Sequence, residues 1–541
     1  MNRKSNPTVL FYPTGIVHFR NLEILKKNLS GFRFRVILEP WVNKKAPGVL
    51  QNIEKQDWVM VEKGQLPGKG WENVDILFLS MAYPNPFRLH LVYEAAKRNI
   101  PVIAIEEVNQ LALNQGMINH YFLPIDYLGV PSDVEKEKFL ELGVSQDALY
   151  LTGWPFFDYK AALENHRYFD MRKKYNLQPD KKSCLLILGS LKERDMVSLE
   201  TRGVRQEILD IVTMGLTEGY QLLIKPHPIE TEAGLQEIQK QAPDAVLLNP
   251  EHPIEPLLAQ ADLVVNRGNS QVTLLALVRN KPLIVVPAGL KTIFHGVVDS
   301  IISNSASEFR RILVDYSRGE KKDYEKILTS HFPLTQTQAM QKVNELFTAA
   351  LKKKITNRRD KKIYISILYA FLEDMVLAKQ IVDEAAEEEA ASLLEKLYNH
   401  KITPGEFGVL LNHFPGKIIR WHLQALFIRS LIKRKNKTRL SEAKGLLEGF
   451  DGEVNPHYFI EDLVKRIELE YQAGNEIKAE QLFKKFYEDY SVFDYYKQAF
   501  DILHFVYHHH HKYFSFRKAL WLLMNPNKAY TRKYIKNILK G

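Results

Sequence analysis

Residues 262–287 read DLVVNRGNSQVTLLALVRNKPLIVVP. An apolar run ends in a polar turn around Gly268, a helix-like apolar run follows at once, and Lys281–Pro282 lead into a second apolar run. Strand, turn, helix and strand in so short a span predict a βαβ crossover, which makes its two strands parallel. The strands lack the apolar–polar alternation of a half-solvated sheet, so both faces are expected to be covered. The turn Asn266–Arg267–Gly268–Asn269–Ser270 is expected to do more than connect. Helix first-turn amides, the Ser270 hydroxyl and the helix dipole form an anion site. Gly268 lets a backbone approach closely, and Arg267 is placed to neutralise a phosphate. An ordinary capped helix explains less of the pattern.

Upstream, YQLLIKPHP (220–228) is a second buried-strand pattern that stops at two prolines. Proline lacks the amide donor and fixes φ, so neither can extend a sheet. His227 is therefore held at the strand's exit, where it is expected to donate to a phosphate, ribose or base edge while Lys225 adds positive charge. The plainer reading is a buried histidine in a tight turn. SCLLILGS (183–190) begins this half, and its Gly189 and Ser190 are expected to offer amides to a phosphate, although a simple strand-to-helix turn accounts for them equally.

The same alternation runs through the first half: TVLFYP (8–13), VDILFLSM (74–81), PVIAIEE (101–107) and YLGVPS (127–132), with helix-like stretches between. Two doubly wound α/β domains in tandem are expected, an N-terminal Rossmann-like domain over 1–160 and a C-terminal one over 161–350. Ligands in open parallel sheets bind beyond the carboxyl ends of the strands, so the residues just after each run are the candidates. His18, after the first strand, suits a general base for an acceptor hydroxyl, and a helix-start histidine bonded to backbone fits equally. Glu106 and Glu107 follow another buried strand, where a carboxylate is costly without a partner or a task. One of them is a second candidate base; a solvated pair capping the next helix is the alternative.

Past residue 350 the pattern becomes helical, and 351–541 is expected to be an all-α domain. SEAKGLLEGF (441–450), IKAEQLFKKF (477–486) and FRKALWLLMN (516–525) recur near the period of helix-hairpin repeats, so tetratricopeptide-like (TPR-like) repeats and an irregular bundle both fit. The tail's lysines and arginines suit an anionic membrane surface, and a repeat surface would suit a protein partner. His508–His511 spread around a helix rather than converging, which disfavours a metal.

The 541 residues exceed one core, and 45% hydrophobic with 26% charged residues is ordinary for a soluble protein. A single cysteine, Cys184, excludes a disulfide scaffold and points to a reducing cytoplasm. There is no signal-peptide pattern and no apolar run of spanning length. The net charge of +10 favours anionic partners. Without aromatic–basic interleaving, nucleic acid is not expected.

ADLVVNRGNSQVTLLALVRNKPLIVVP (261–287), KPHP (225–228) and YLGVPSDVEKEKFLELGVSQDALYLTGWPFFD (127–158) together resemble the GT-B nucleotide-sugar glycosyltransferases. KPHP is similar to the His-Pro motif of bacterial sialyl- and Kdo-type transferases and of CDP-glycerol glycerophosphotransferases. The 127–158 stretch is similar to a segment of UDP-GlcNAc 2-epimerase-like and surface-polysaccharide enzymes. The resemblance covers about residues 8–350. It implies that two Rossmann-like domains face one another, that His227 and Ser270 contact the donor nucleotide or its phosphates, and that Gly268 and Asn269 lie in the phosphate turn. His18 and one of Glu106 or Glu107 fall on the acceptor side. This chain departs from the sialyltransferase acidic-pair-then-glycine pattern, since Val108 follows Glu106–Glu107. It also lacks the epimerases' glycine-rich turn with acidic residues after Asn266, so transfer is favoured over epimerisation. The implied activity is transfer of a sugar or glycerol-phosphate-like group from a cytidine- or uridine-linked donor to a cell-surface glycan or lipid-linked acceptor. No metal and no cofactor are expected. The competing readings are a UDP-sugar 2-epimerase-like enzyme and a non-catalytic GT-B-like scaffold.

Overall fold

TVLFY forms strand β1 (Thr8–Tyr12), and every residue in it is buried. The computed structural model describes residues 6–433 and Gln481, apart from 14–15, 40–53, 63–65, 81–85, 107–122, 142–143, 158–163, 165–168, 189–199, 228–229, 231, 269–270, 289–291, 321, 353–357, 372–373, 385–388 and 415–416. With β1 run β2 (Arg33–Leu38), β3 (Trp58–Met60), β4 (Ile76–Leu79), β5 (Val102–Ile105), β6 (Tyr127–Val130) and β7 (Leu149–Leu151). They make one parallel sheet in the order β3-β2-β1-β4-β5-β6-β7. β1 sits between β2 and β4, so the direction of winding reverses beside it. In an open parallel sheet a crevice lies beyond the carboxyl ends at such a reversal.

Successive strand residues face opposite sides. Val9, Phe11, Phe34, Val36, Ile76, Phe78 and Ile103 share one core with Phe19, Leu22 and Leu25 of helix Ile16–Asn28. Met340, Val343, Leu346 and Phe347 of helix Gln336–Lys352 complete it, the Phe347 ring lying 5.4 Å from that of Phe78. The intervening Leu10, Ile37 and Leu77 are buried on the opposite face. Burial on both sides is why these strands read as unbroken apolar runs.

The second sheet contains β8 (Lys182–Ile187), β9 (Tyr220–Lys225), β10 (Val246–Leu247), β11 (Leu263–Asn266) and β12 (Leu283–Val285). Its order is β10-β9-β8-β11-β12, again all parallel, with the reversal at β8. Ile208 and Val212 of helix Glu200–Gly215, Ile238 of helix Glu232–Gln241 and Phe309 and Ile312 of helix Ala306–Ser317 cover Cys184, Leu186, Ile224 and Val265. Both expected α/β folds are present.

Described residues through Phe157 and from Ser330 to 433 form one compact unit, and those from 158 to Thr329 the other, with Gln481. The return at Ser330 was not expected: helix Gln336–Lys352, within the span assigned to the second domain, lies in the core of the first unit. Helices Arg358–Phe371, Met375–Asp383, Glu389–Tyr398, Pro404–Asn412 and Lys417–Lys433 follow, and the described residues after 352 contain no strand. They are tied to the first unit by polar contacts: Lys361 Nζ reaches the Asp126 carboxylate at 2.7 Å, and the Tyr93 hydroxyl donates to Glu384 at 3.2 Å. Thr403 and Glu406 form a reciprocal cap at the start of Pro404–Asn412. No described helix is long and apolar enough to cross a membrane. Apart from Gln481, the three repeat-like segments lie outside the described residues, as does His508–His511.

Candidate functional site

In the first unit the carboxyl ends of β2, β1, β4 and β5 bring Glu39, Tyr12, Ser80 and Glu106 to one edge of the sheet. His18 joins them from helix Ile16–Asn28, which starts just beyond β1. Its Nδ1 lies 3.1 Å from Ser80 Oγ, and Ser80 Oγ donates to the Tyr12 carbonyl oxygen at 3.4 Å. A serine hydroxyl has one proton. With that proton directed at Tyr12, Ser80 Oγ accepts from His18 Nδ1–H, and the imidazole lone pair falls on Nε2. That arrangement would place the basic nitrogen at Nε2. His18 and Ser80 are buried, at 8% and 1% exposure.

Around them, the Tyr12 hydroxyl donates to Glu39, and Phe87 meets the Tyr12 ring edge-on at 5.2 Å. The guanidinium of Arg88, itself 1% exposed, lies 5.9 Å from the Tyr12 ring centroid. Glu106 follows β5, its amide donating to Gly129 O at 2.8 Å and its side chain buried. A buried carboxylate at the same edge as His18 is an arrangement suited to proton chemistry.

In the second unit, Lys225 pairs with Ile187, and Leu186 pairs with Val265. One residue further along, Lys225, Ile187 and Asn266 form a row across β9, β8 and β11 and face the same side. Lys225 and Asn266, where KPHP and NRGNS begin, are thus two strand spacings apart, about 10 Å.

Lys225 is buried, and its ammonium donates to Pro226 O at 3.2 Å and Pro250 O at 2.5 Å, tying the loops after β9 and β10 together. Burial pushes its pKa down to about 8. Between pH 8 and 10.5 the unfolded chain therefore holds this proton more tightly than the folded one, and stability rises with pH across that window. The penalty is complete below pH 8 and vanishes above 10.5, and it amounts to at most about 3 kcal/mol. Lys225→Met is expected to remove that slope. Denaturant unfolding of both proteins at the two ends of the window measures it, and parallel pH profiles would count against the buried ammonium.

His227 is half-buried. Burial first, and then the Lys225 charge, hold its imidazole below the ordinary value, with Glu230 opposing. It is neutral at pH 7 and offers one N–H. Behind it, Glu230 N donates to His227 O at 3.0 Å, and the Glu230 carboxylate pairs with Arg205 at 2.8 Å, both side chains 5% exposed.

At the end of β11, Asn266 Oδ1 accepts from Gly268 N at 2.7 Å, which curls the turn. Gly268 has φ +93°, and a Cβ there would lie 2.7 Å from Val285 Cγ1 and 2.9 Å from Thr292 Cγ2. Only glycine fits that backbone and that space. Buried Asn266 Nδ2 has no hydrogen-bond partner among the described residues, a donor that a bound oxyanion would satisfy. Arg267 Nη2 is 3.5 Å from Pro287 O. Glu107, Gly189, Ser190, Asn269 and Ser270, all expected site residues, lie outside the described residues.

Sequence reasoning missed Tyr12, Ser80, Arg88, Arg205, Glu230 and Asn266 Nδ2. Ser80 could have been found, because it is the first polar residue after β4 and the same rule selected Glu106. Arg205 had no such signal, as it sits within a helix and its partner is set by folding.

Residues 94–265 match the Alpha-2,8-polysialyltransferase (POLYST) family. No curated protein sequence matches the chain. Among solved structures, S. aureus MnaA bound to UDP is 12% identical with a TM-score of 0.47, covering 64% of this chain and 98% of its own. The Methanocaldococcus jannaschii UDP-GlcNAc 2-epimerase in complex with UDP-GlcNAc and UDP is 14% identical at TM-score 0.43, covering 63% and 99%. A variant of the wall teichoic acid polymerase TagF with CDPG is 14% identical at TM-score 0.39, covering 65% and 90%. The family match, which spans about a third of the chain from helix Pro86–Arg98 into β11, supports a glycosyltransferase, and the fold beneath it is two parallel Rossmann-like sheets with a helical C-terminal region.

Proposed function

We propose that the chain transfers a sialic-acid-type sugar from a CMP-linked donor to a hydroxyl of a surface glycan, with His18 as general base. The observation that carries this reading is the His18–Ser80–Tyr12 relay at the reversal of the first sheet, which leaves His18 Nε2 as the basic nitrogen. The polysialyltransferase match supports the sugar and hence the cytidine nucleotide. The acceptor oxygen attacks the anomeric carbon as its proton passes to His18 Nε2. The bond from that carbon to the phosphate oxygen breaks, and the electron pair leaves with CMP. On the donor side, Asn266, Arg267 and Gly268, with Asn269 and Ser270, hold the phosphate, and neutral His227 donates to it. Preorganised donors of this kind stabilise charge as it develops on the leaving group. Lys225 acts as the brace of the loop that carries His227. The net charge of +10 supports work beside an anionic membrane surface that carries the acceptor.

Binding of CMP-, CDP-, UDP- and GDP-linked donors to the full chain tests the reading, with CMP-linked sugar expected to bind best. His227→Ala is expected to weaken donor binding and turnover together, by about 10-fold or more. Absence of binding by every nucleotide would favour the scaffold, and product formed from a UDP-sugar without acceptor would favour epimerisation. Unchanged kinetics in His227→Ala would make KPHP a structural turn.

A further inference from the structure

We infer that His295 is a further donor-side residue, whose Nε2–H hydrogen-bonds a phosphate oxygen of the bound nucleotide. The inference rests on the reading of 266–270 as the phosphate turn and adds to it a side chain from a different segment. Both ends of the stretch after β12 lie at the carboxyl edge of the second sheet: Val286 N donates to Asn266 O at 2.9 Å, and Ile302 bridges back to Val285. Between these points Thr292 and His295 form a tight turn, closed by His295 N donating to Thr292 O at 3.2 Å.

The turn decides the histidine's chemistry. The backbone N–H of Thr292 donates to His295 Nδ1 at 2.9 Å, and the Thr292 hydroxyl lies 3.0 Å from the same nitrogen. A main-chain amide can only donate, so Nδ1 must hold the lone pair and the neutral ring carries its proton on Nε2. The tautomer is imposed by backbone and does not depend on how any hydroxyl rotates. His295 is half-buried, and Nε2 has no hydrogen-bond partner among the described residues, so a donor of fixed direction remains available.

The same threonine places that donor beside the turn. A Cβ on Gly268 would lie 2.9 Å from Thr292 Cγ2 and 3.1 Å from Thr292 Cβ. Thr292 therefore packs directly on Gly268 with its methyl group and orients His295 with its amide. As the bond from the anomeric carbon to the phosphate oxygen breaks, the electron pair stays on that oxygen and the nucleotide gains one negative charge. His295 transfers no proton in this step. Its hydrogen bond strengthens as the charge grows, which is how an oriented donor assists a leaving group.

Calorimetric titration of the full chain with CMP and with cytidine, and in parallel with UMP and uridine, isolates the phosphate contact. His295→Ala is expected to weaken binding of the monophosphate by about 10- to 100-fold, as for a hydrogen bond to a charged group, and to leave the nucleoside unchanged. His295→Gln, whose amide N–H reaches the Nε2 position, is expected to restore most of the loss. His295→Asn reaches only the Nδ1 position and is expected not to. If alanine disturbs folding, the contrast between Gln and Asn carries the test, with melting temperatures of the two compared. Equal losses for CMP and cytidine, undiminished CMP affinity in His295→Ala, or rescue by Asn as good as by Gln would each overturn the inference. Should wild type gain nothing from the phosphate, the phosphate-turn reading fails and takes this one with it. Loss of CMP binding in His227→Ala but not in His295→Ala removes this inference alone.

Discussion

His18→Ala is expected to lower the turnover of sugar transfer by about 10²–10⁴-fold, the range typical of a lost general base, with the donor's dissociation constant unchanged. The separation of the two constants follows from geometry, since His18 belongs to the edge of the first sheet and the donor groups to that of the second. Ser80→Ala keeps the ring but frees Nδ1 from its acceptor, so its turnover should fall between wild type and His18→Ala. Steady-state kinetics across pH, with donor binding measured separately, decides the matter. If His18→Ala keeps its turnover while Glu106→Gln loses it, the base is the buried glutamate and the histidine only supports the edge.

The second large effect is on stability. Arg205→Ala is expected to destabilise the protein by about 3–5 kcal/mol, because it leaves the Glu230 carboxylate buried beside an empty space. Replacing both partners, Arg205→Met with Glu230→Leu, should recover most of that loss, since buried ion pairs can often be exchanged for packed apolar groups. Donor binding should not recover with it. Glu230 N donates to His227 O, and the ion pair with Arg205 anchors the Glu230 side chain behind that histidine. Chemical denaturation and donor titration of the single and double variants read the two effects separately. A single variant as stable as wild type would contradict the burial of the pair.

The fold was legible because the central strands β1, β4, β5 and β11 are buried on both faces. Runs such as VVN at 264–266 and LFL at 77–79 carry no alternation, and their polar exits mark where strands end. Gly268 was legible for a related reason: the conformation at φ +93° excludes other residues almost by itself. The membership of helix Gln336–Lys352 was not legible. Its apolar stripe of Ala339, Val343, Leu346 and Phe347 would suit either sheet, and hydrophobic burial has no direction.

For this protein, then, local chemistry written in the chain determined the two parallel α/β folds, the glycine turn after β11 and the end of β9 at Pro226. Backbone conformation and side-chain period act over a few residues, so a sequence displays them directly. Only the tertiary structure decided that His18 is tuned by Ser80, 62 positions away, that Arg205 meets Glu230, and that Lys225 braces two loops rather than standing open. Hydrogen bonds and ion pairs act over about 3 Å, and distant residues come that close only when packing of the whole sheet brings strand ends together.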